Sequence, residues 1–226
     1  MEYKISQSTF APTVSFFMNI GENVRIERGS FLGHNGKIDL AGKTNGGFFK
    51  SIGRALTSGE SMFITTATAT ESNAQLTIAP HALGEIMSLE VGNNQYILND
   101  GVFLASTNGV EYDVKRVSGI GKALLGGSGG FFNMHTKGNG QVFISGFGEI
   151  VEYELKFGEK IVIDNSHVVA WDSNLTYNLD IASGTFGFKS GEGLAMYFSG
   201  EGKIYVQSRQ LPSFGTAISP YIITGN

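Results

Sequence analysis

Apolar and polar residues alternate in short runs along most of this chain, and a turn rich in glycine, asparagine or serine ends nearly every run. In Val151-Glu152-Tyr153-Glu154-Leu155-Lys156-Phe157 the apolar residues fall on one face and every charge on the other. That period of two predicts a half-buried strand with a solvated outer face. Phe131-Phe132-Asn133-Met134 also reads as a strand. Thr65-Thr66-Ala67-Thr68-Ala69-Thr70 is small, uncharged and flat, so it predicts a strand that pairs with neighbours or lies against another surface. No window shows a sustained helical period, and the pattern predicts an all-β chain.

The pattern recurs. Met18-Asn19-Ile20-Gly21-Glu22, Leu89-Glu90-Val91-Gly92-Asn93 and Leu155-Lys156-Phe157-Gly158-Glu159 each end a strand on glycine plus a polar residue, with glycines 71 and 66 residues apart. Such Gly-X pairs predict type II′ hairpins, and Asn35-Gly36 and Asn108-Gly109 downstream predict type I′ hairpins, with Ser173-Asn174 at the third place. Gly59-Glu60-Ser61, Gly127-Ser128-Gly129 and Gly191-Glu192-Gly193 hold the same period. Closing strands follow at Gln75–Ile78, Gln141–Ile144 and Lys203–Val206. Agreement at four places marks three tandem units, approximately 1–80, 81–146 and 147–209, in a single domain spanning 1–226 with a tail at 210–226. Three such units predict a pseudo-threefold barrel, because closing the ring pairs each open edge, with a linear stack of sheets as the alternative.

Two segments break the strand pattern. Ile52-Gly53-Arg54-Ala55-Leu56 recurs as Ile120-Gly121-Lys122-Ala123-Leu124 and reads as a helical turn or a loop over a barrel end. In the tail, Pro212 and Pro220 flank a loop, and Tyr221-Ile222-Ile223-Thr224 reads as a final edge strand.

Composition narrows the function more than the fold. Glycine is abundant, at 32 of 226 residues, and only 16% of residues are charged, which suits short strands and tight turns. A net charge of −4 lacks the basic stripe that phosphate binding needs. With no cysteine, disulfides, thiol catalysis and thiolate metal sites are excluded. Met1-Glu2-Tyr3-Lys4 opens no signal peptide, and no stretch approaches the ~18 apolar residues of a spanning helix. The expectation is a soluble cytoplasmic protein.

Candidate chemistry is sparse. Gly126-Gly127-Ser128-Gly129-Gly130 matches a nucleophile elbow, with Asp164 and His167 following in hydrolase order. An elbow needs a strand before the serine and a helix after it, whereas a strand follows here and the sister units hold Glu60 and Glu192. Gly42-Lys43-Thr44 resembles the end of a P-loop, but Asn45-Gly46-Gly47 follows in place of the helix such a loop requires. His34, His81, His135 and His167 never stand at ligand spacing. Glu60 and Glu192, with Arg54 and Lys122 nearby, can converge on a cation or partner, although a carboxylate accepting turn amides is the ordinary explanation. Trp171 reads as packing, and Gln207 with Arg209 as an exposed edge pair. No catalytic, cofactor-binding or metal-ligating residue is assigned.

The aligned residues also resemble a known family. Gly59-Glu60-Ser61, Ala79-Pro80 with Gly84-Glu85-Ile86, Asp164 through Ala170, Gly191-Glu192-Gly193-Leu194 and Gln207-Ser208-Arg209 look like signatures of the family named for altered inheritance of mitochondria, from about Val14 to Arg209. The resemblance implies a short double-stranded β-helix like that of the tryptophan RNA-binding attenuation protein, triplicated in one chain, with no established activity. Its mitochondrial relatives are linked to inner-membrane organisation, which implies a scaffold role; the opening residues show no transit-peptide pattern, so that location is not expected here, and the chain departs from the Gly-Glu-Gly pattern at Ser128. The expected function is a non-catalytic scaffold or protein-interaction module, self-associating or with protein partners. The alternative is a small-ligand module, with RNA binding as a minor branch, and an enzyme is the least favoured reading.

Overall fold

The computed structural model describes residues 1–8, 10–42, 64–116, 132–181 and 194–222. After a leading strand β1 (Glu2–Ile5), a first segment holds β2 (Val14–Met18), β3 (Asn23–Glu27), β4 (Phe31–Asn35), β5 (Ile38–Gly42), β6 (Ile64–Ala69) and β7 (Ala74–Ile78). A second holds β8 (Ile86–Val91), β9 (Tyr96–Leu98), β10 (Phe103–Thr107), β11 (Val110–Arg116), β12 (Phe132–Gly138) and β13 (Gly140–Ser145). A third holds β14 (Ile150–Leu155), β15 (Lys160–Asp164), β16 (Val168–Asp172), β17 (Thr176–Ile181), β18 (Leu194–Ser199) and β19 (Gly202–Gln207). Among the described residues the chain is all-β apart from short 3-10 turns and one helix, α1 (Leu211–Ile218).

Every ladder between the described strands is antiparallel, and the isolated bridge between Gly84 and Gly148 is parallel. In the first segment β7 pairs β2 and β4, and β6 pairs β3 and β5. In the second β13 pairs β8 and β10, and β12 pairs β9 and β11. In the third β19 pairs β14 and β16, and β18 pairs β15 and β17. Two further ladders join segments, β3 with β10 and β9 with β16. Among the described residues the result is four sheets, in the orders β1-β2-β7-β4, β5-β6-β3-β10-β13-β8, β11-β12-β9-β16-β19-β14 and β15-β18-β17.

The sheets stack as layers, with one hydrophobic cluster in each of the three gaps. Phe16, Leu76 and Ile78 of the first sheet meet Val24, Ile26, Ala67 and Phe143 of the second. Leu89, Val142 and Ile144 on the second sheet's other face meet Leu98, Tyr112, Met134 and Tyr205 of the third. Trp171, Ile204 and Val206 of the third meet Met196 and Phe198 of the fourth. The two inner sheets are thus apolar on both faces, which explains why Phe103, Leu104 and Ala105 run without alternation and are all buried.

The turns differ from the hairpin expectation. Gly21 has φ +85° and the Glu22 amide donates to Asn19 O at 3.0 Å, so glycine fills the third position of a type II-like turn, not the second of a II′ turn. Gly158 repeats this, with φ +86° and the Glu159 amide on Lys156 O at 2.9 Å. Asn35 is extended within β4 and only Gly36 takes positive φ, whereas a type I′ turn needs both. The reason is topological: β2 and β3, β4 and β5, and β10 and β11 lie in different sheets, so these turns carry the chain round a corner between layers.

The expected closed barrel does not form among the described residues. Among the described residues each sheet ends in unpaired edges, β4 and β15 among them: β4 has only β7 beside it, and β15 only β18. The tail also differs. Leu211–Ile218, expected as part of a loop, is helical, with Pro212 in its first turn where its missing amide costs nothing, and Tyr221, expected to open an edge strand, ends the 3-10 turn Ser219–Tyr221; Ile223 and Thr224 lie outside the described residues. β14 matches its expected faces only in part: Leu155 is buried and Glu152 and Glu154 are exposed. Val151 and Tyr153, at 36% and 44% exposure, are not buried, and Phe157 is 91% exposed.

Candidate interaction surfaces

Two internal junctions show how one segment receives the next. At the first, Ala105, Ser106 and Thr107 of β10 pair with Ile26, Arg25 and Val24 of β3. At the second, Ala170, Trp171 and Asp172 of β16 pair with Leu98, Ile97 and Tyr96 of β9. An aromatic ring reaches across each junction. Phe143 meets Phe16 edge to face with ring centroids 5.0 Å apart, and Tyr205 stands 6.4 Å from Tyr96. A branched residue also crosses: Leu104 joins the first gap and Val169 the second, both fully buried. Gly84 and Gly148 bridge the second and third segments so closely that a Cβ on Gly84 would stand 2.2 Å from Gly146 O.

The same positions at the two ends of the stack are uncovered. Register with β7, β13 and β19 aligns Phe31, Phe103 and Val168, and a bulge follows each at the same step. Leu32 therefore matches the buried Leu104 and Val169, yet it is 61% exposed on β4. At the other end, Tyr153 pairs with Ile204 as Phe16 pairs with Leu76, and no aromatic ring among the described residues covers it as Phe143 covers Phe16. Val162 on β15 is 56% exposed, in the place held by Arg25 and Ile97 at the internal junctions. Two apolar ends thus face solvent, one carrying Leu32, the other Tyr153 and Val162.

The residues singled out by sequence are dispersed or committed. Arg54, Glu60, Lys122, Ser128 and Glu192 lie outside the described residues, as do Lys43 and Thr44, while Gly42 ends β5. His34 Nδ1 bonds Gly36 O at 2.9 Å, His81 Nε2 bonds Arg28 O at 3.2 Å, and His167 Nδ1 bonds Gln207 O at 2.6 Å. His135 sits on β12, where burial holds its pKa below the usual histidine value. Asp164 does not orient His167; its Oδ1 accepts the Ser166 amide and hydroxyl at 2.8 and 2.6 Å, capping the 3-10 turn Asn165–His167. Among the described residues, no three His, Cys, Asp or Glu side chains group as metal ligands.

Trp171 is fully buried between Tyr177 and Phe198, as packing. Gln207 corrects the edge-pair expectation: β19 is paired on both sides, and Gln207 accepts the Phe147 amide at 2.9 Å while donating to Ser166 O at 2.8 Å. Gln207 also lines a cavity of about 730 Å³ between the Asn99–Val102 loop, the 3-10 turn and α1. Its polar walls are largely spent on structure, since Asn99 Nδ2 donates to Asn165 O and Val168 O and Thr216 Oγ1 to Pro212 O. A buried polar group missed in the sequence is Asp172. Its Oδ2 accepts the Lys203 amide at 2.9 Å, its Oδ1 lacks a hydrogen-bond partner, and burial raises its pKa. No helix among the described residues is long and apolar enough to cross a membrane.

Comparison with known proteins places these features in a wider group. The family model described as mitochondrial biogenesis AIM24 matches residues 3–209. An uncharacterized protein of Streptococcus pyogenes serotype M6 is 39% identical over 233 residues, covering 100% of this chain and 93% of its own length. The X-ray crystal structure of a Streptococcus pyogenes protein superposes with a TM-score of 0.81 at 36% identity, covering 98% of this chain and 99% of that one.

Proposed function

We propose that this chain, which belongs to the mitochondrial biogenesis AIM24 family, is a non-catalytic interaction scaffold built from three copies of one six-strand unit. Support for the triplication comes from the three equal sets of pairings and the bulge at matching steps. Each unit is a small sandwich of two three-stranded layers, β2-β7-β4 facing β5-β6-β3 in the first, and successive units fuse by joining one layer of each into a six-stranded sheet. This is the sense in which a triplicated double-stranded β-helix describes the chain, as a single domain with unit boundaries near residues 80 and 146.

The observation behind the function is the contrast between ends and junctions. Positions that are fully buried where units meet, Phe16, Leu104 and Val169, are matched by exposed apolar residues, Tyr153 and Leu32, where the series stops. Apolar surface of this kind is a contact surface more often than an accident of folding. Burying a Leu or Phe side chain is worth about 1.5–3 kcal/mol, so each end has binding energy in reserve. Sheet edges next to it supply unpaired backbone groups for a partner to complete.

Native mass spectrometry on protein gently purified from its own host tests this reading. Wild type is expected in a defined multi-chain or companion-bound form that Leu32→Glu with Tyr153→Glu abolishes. A bare wild-type monomer overturns it. The second reading, a small-ligand module, rests on the cavity beside α1, and a reproducible small extra mass on the chain favours it.

A further inference from the structure

We infer that the partner of these ends is a second copy of this chain, docked head to tail with its β4 along β15 of the first. This rests on reading the two ends as contact surfaces, and it adds the partner, the orientation and the register. The argument is continuity with two interfaces the molecule already contains. β3 receives β10 and β9 receives β16, each antiparallel and each through three residue pairs. Within the third segment β15 holds the place of β3 and β9, since Ile161, Val162 and Ile163 pair with β18 as Val24, Arg25 and Ile26 pair with β6. Within the first segment β4 holds the place of β10 and β16, since Phe31, Gly33 and His34 pair with β7 through the same bulge. The chain thus ends in one strand that should receive a neighbour and one that should be received, and neither has that neighbour among the described residues.

The register follows from the same alignment. Ala105 opposite Ile26 and Ala170 opposite Leu98 place Gly33 opposite Ile163; His34 then faces Val162, and Asn35 faces Ile161. Side chains fit this placement. Leu32, matching Leu104 and Val169, enters the gap lined by the half-buried Ile161, Ile163 and Leu179. Thr77, matching Phe143 and Tyr205, comes over Tyr153. Val162 exchanges solvent for the flank of β4. Joining β15-β18-β17 to β4-β7-β2-β1 extends the three-stranded outer sheet in the manner of the two inner ones. Because donor and acceptor ends differ, the contact is heterologous. Copies therefore add in series and either close into a ring or continue as a filament.

The absence of native cysteine makes the test clean. In a His34→Cys, Val162→Cys double variant the two residues stand directly opposite across the inferred ladder, at a Cα separation of about 4.5–5.5 Å, within the range a disulfide spans. Mild oxidation is expected to give a ladder of covalent dimers, trimers and higher forms on a non-reducing gel. Either single variant is expected to stop at a trace of dimer. A product that is solely an intrachain disulfide, or no product beyond the single-variant trace, overturns the inference. Val162→Lys alone guards against misfolding of the double variant: the site is exposed, so the fold is kept, and light scattering is expected to show at least a tenfold weaker self-association. Unchanged self-association in Val162→Lys also overturns the inference. A monomeric wild type whose protein companion is lost in Leu32→Glu removes self-docking and leaves the scaffold reading standing. A monomer with no such companion removes both.

Discussion

Phe143 stands edge to face against Phe16, its ring centroid 5.0 Å away and its plane at 90°, although the two side chains come from different six-strand segments. Tyr3 of β1 meets the same ring at 4.8 Å. Such geometry adds about 0.5–1.5 kcal/mol to the burial of the rings themselves. Phe143→Ala is therefore expected to cost about 3–5 kcal/mol in urea denaturation. A loss under 1 kcal/mol would mean that this junction does not hold the segments together.

Tyr153 occupies the position of Phe16 at the open end. Phe16→Ser places a hydroxyl in a closed apolar gap and is expected to cost at least about 3 kcal/mol. Tyr153→Ser is expected to stay within about 0.5 kcal/mol of wild type in the dilute protein, as surface changes do. Parallel urea midpoints measure both. Equal losses would show that Tyr153 is buried in the dilute chain.

Two glycines separate backbone conformation from close approach. Gly21 needs positive φ but has open space where a Cβ would go, so Gly21→Ala is expected to cost about 1–2 kcal/mol. At Gly84 the added Cβ meets the backbone of Gly146 and Gly148, and the bridge between the second and third segments must part. Gly84→Ala is expected to cost at least about 3 kcal/mol, chiefly by loosening that junction. Thermal unfolding of the two variants decides the order.

Asp172 gives the junction between the second and third segments a pH dependence. Burial raises its folded-state pKa, with Glu152 adding to the rise and Lys203 opposing it. The penalty for the buried charge is full above that raised pKa and vanishes below the unfolded value. As pH falls through this interval the fold takes up its proton before the unfolded chain does, and stability from this group rises. Asp172→Asn keeps an acceptor for the Lys203 amide and removes the titration. Relative to Asp172→Asn, wild type is expected to gain stability between pH 8 and pH 4, measured as the difference in urea midpoints. A difference constant with pH would contradict this account.

How much of this was legible before the structure depends on the kind of signal. The strands were legible because alternation and turn residues are local, but the glycine spacing was not a faithful guide: Gly92 lacks the positive φ of Gly21 and Gly158 and stands one residue after Val91, where they stand three after Met18 and Leu155. The turns were misread because Asn35-Gly36 looks alike whether it folds a strand back or carries it into another layer, and only the sheet partner distinguishes the two. The solvated face expected of β14 holds, since Glu152 and Glu154 are exposed, but its apolar face is only partly buried: Val151 and Tyr153 are patterned for burial and remain exposed. The contact surface itself was not visible. Leu32 and Val162 are ordinary strand residues in sequence, and only register with Leu104 and Arg25 marks their exposure as unusual. Glu60, Glu192, Arg54 and Lys122 fall in the stretches between β5 and β6, β11 and β12, and β17 and β18, outside the described residues.

Hydrogen–deuterium exchange at two protein concentrations tests the central claim, that the ends of the series are contact surfaces, most directly. If they are, amides of residues 31–35 and 160–164 become strongly protected as concentration rises from nanomolar to high micromolar, while those of β3 and β9 hold constant protection. If both stretches exchange at the same fast rate across that range, and in the presence of any co-purifying protein, the ends are free surface and the scaffold account is wrong.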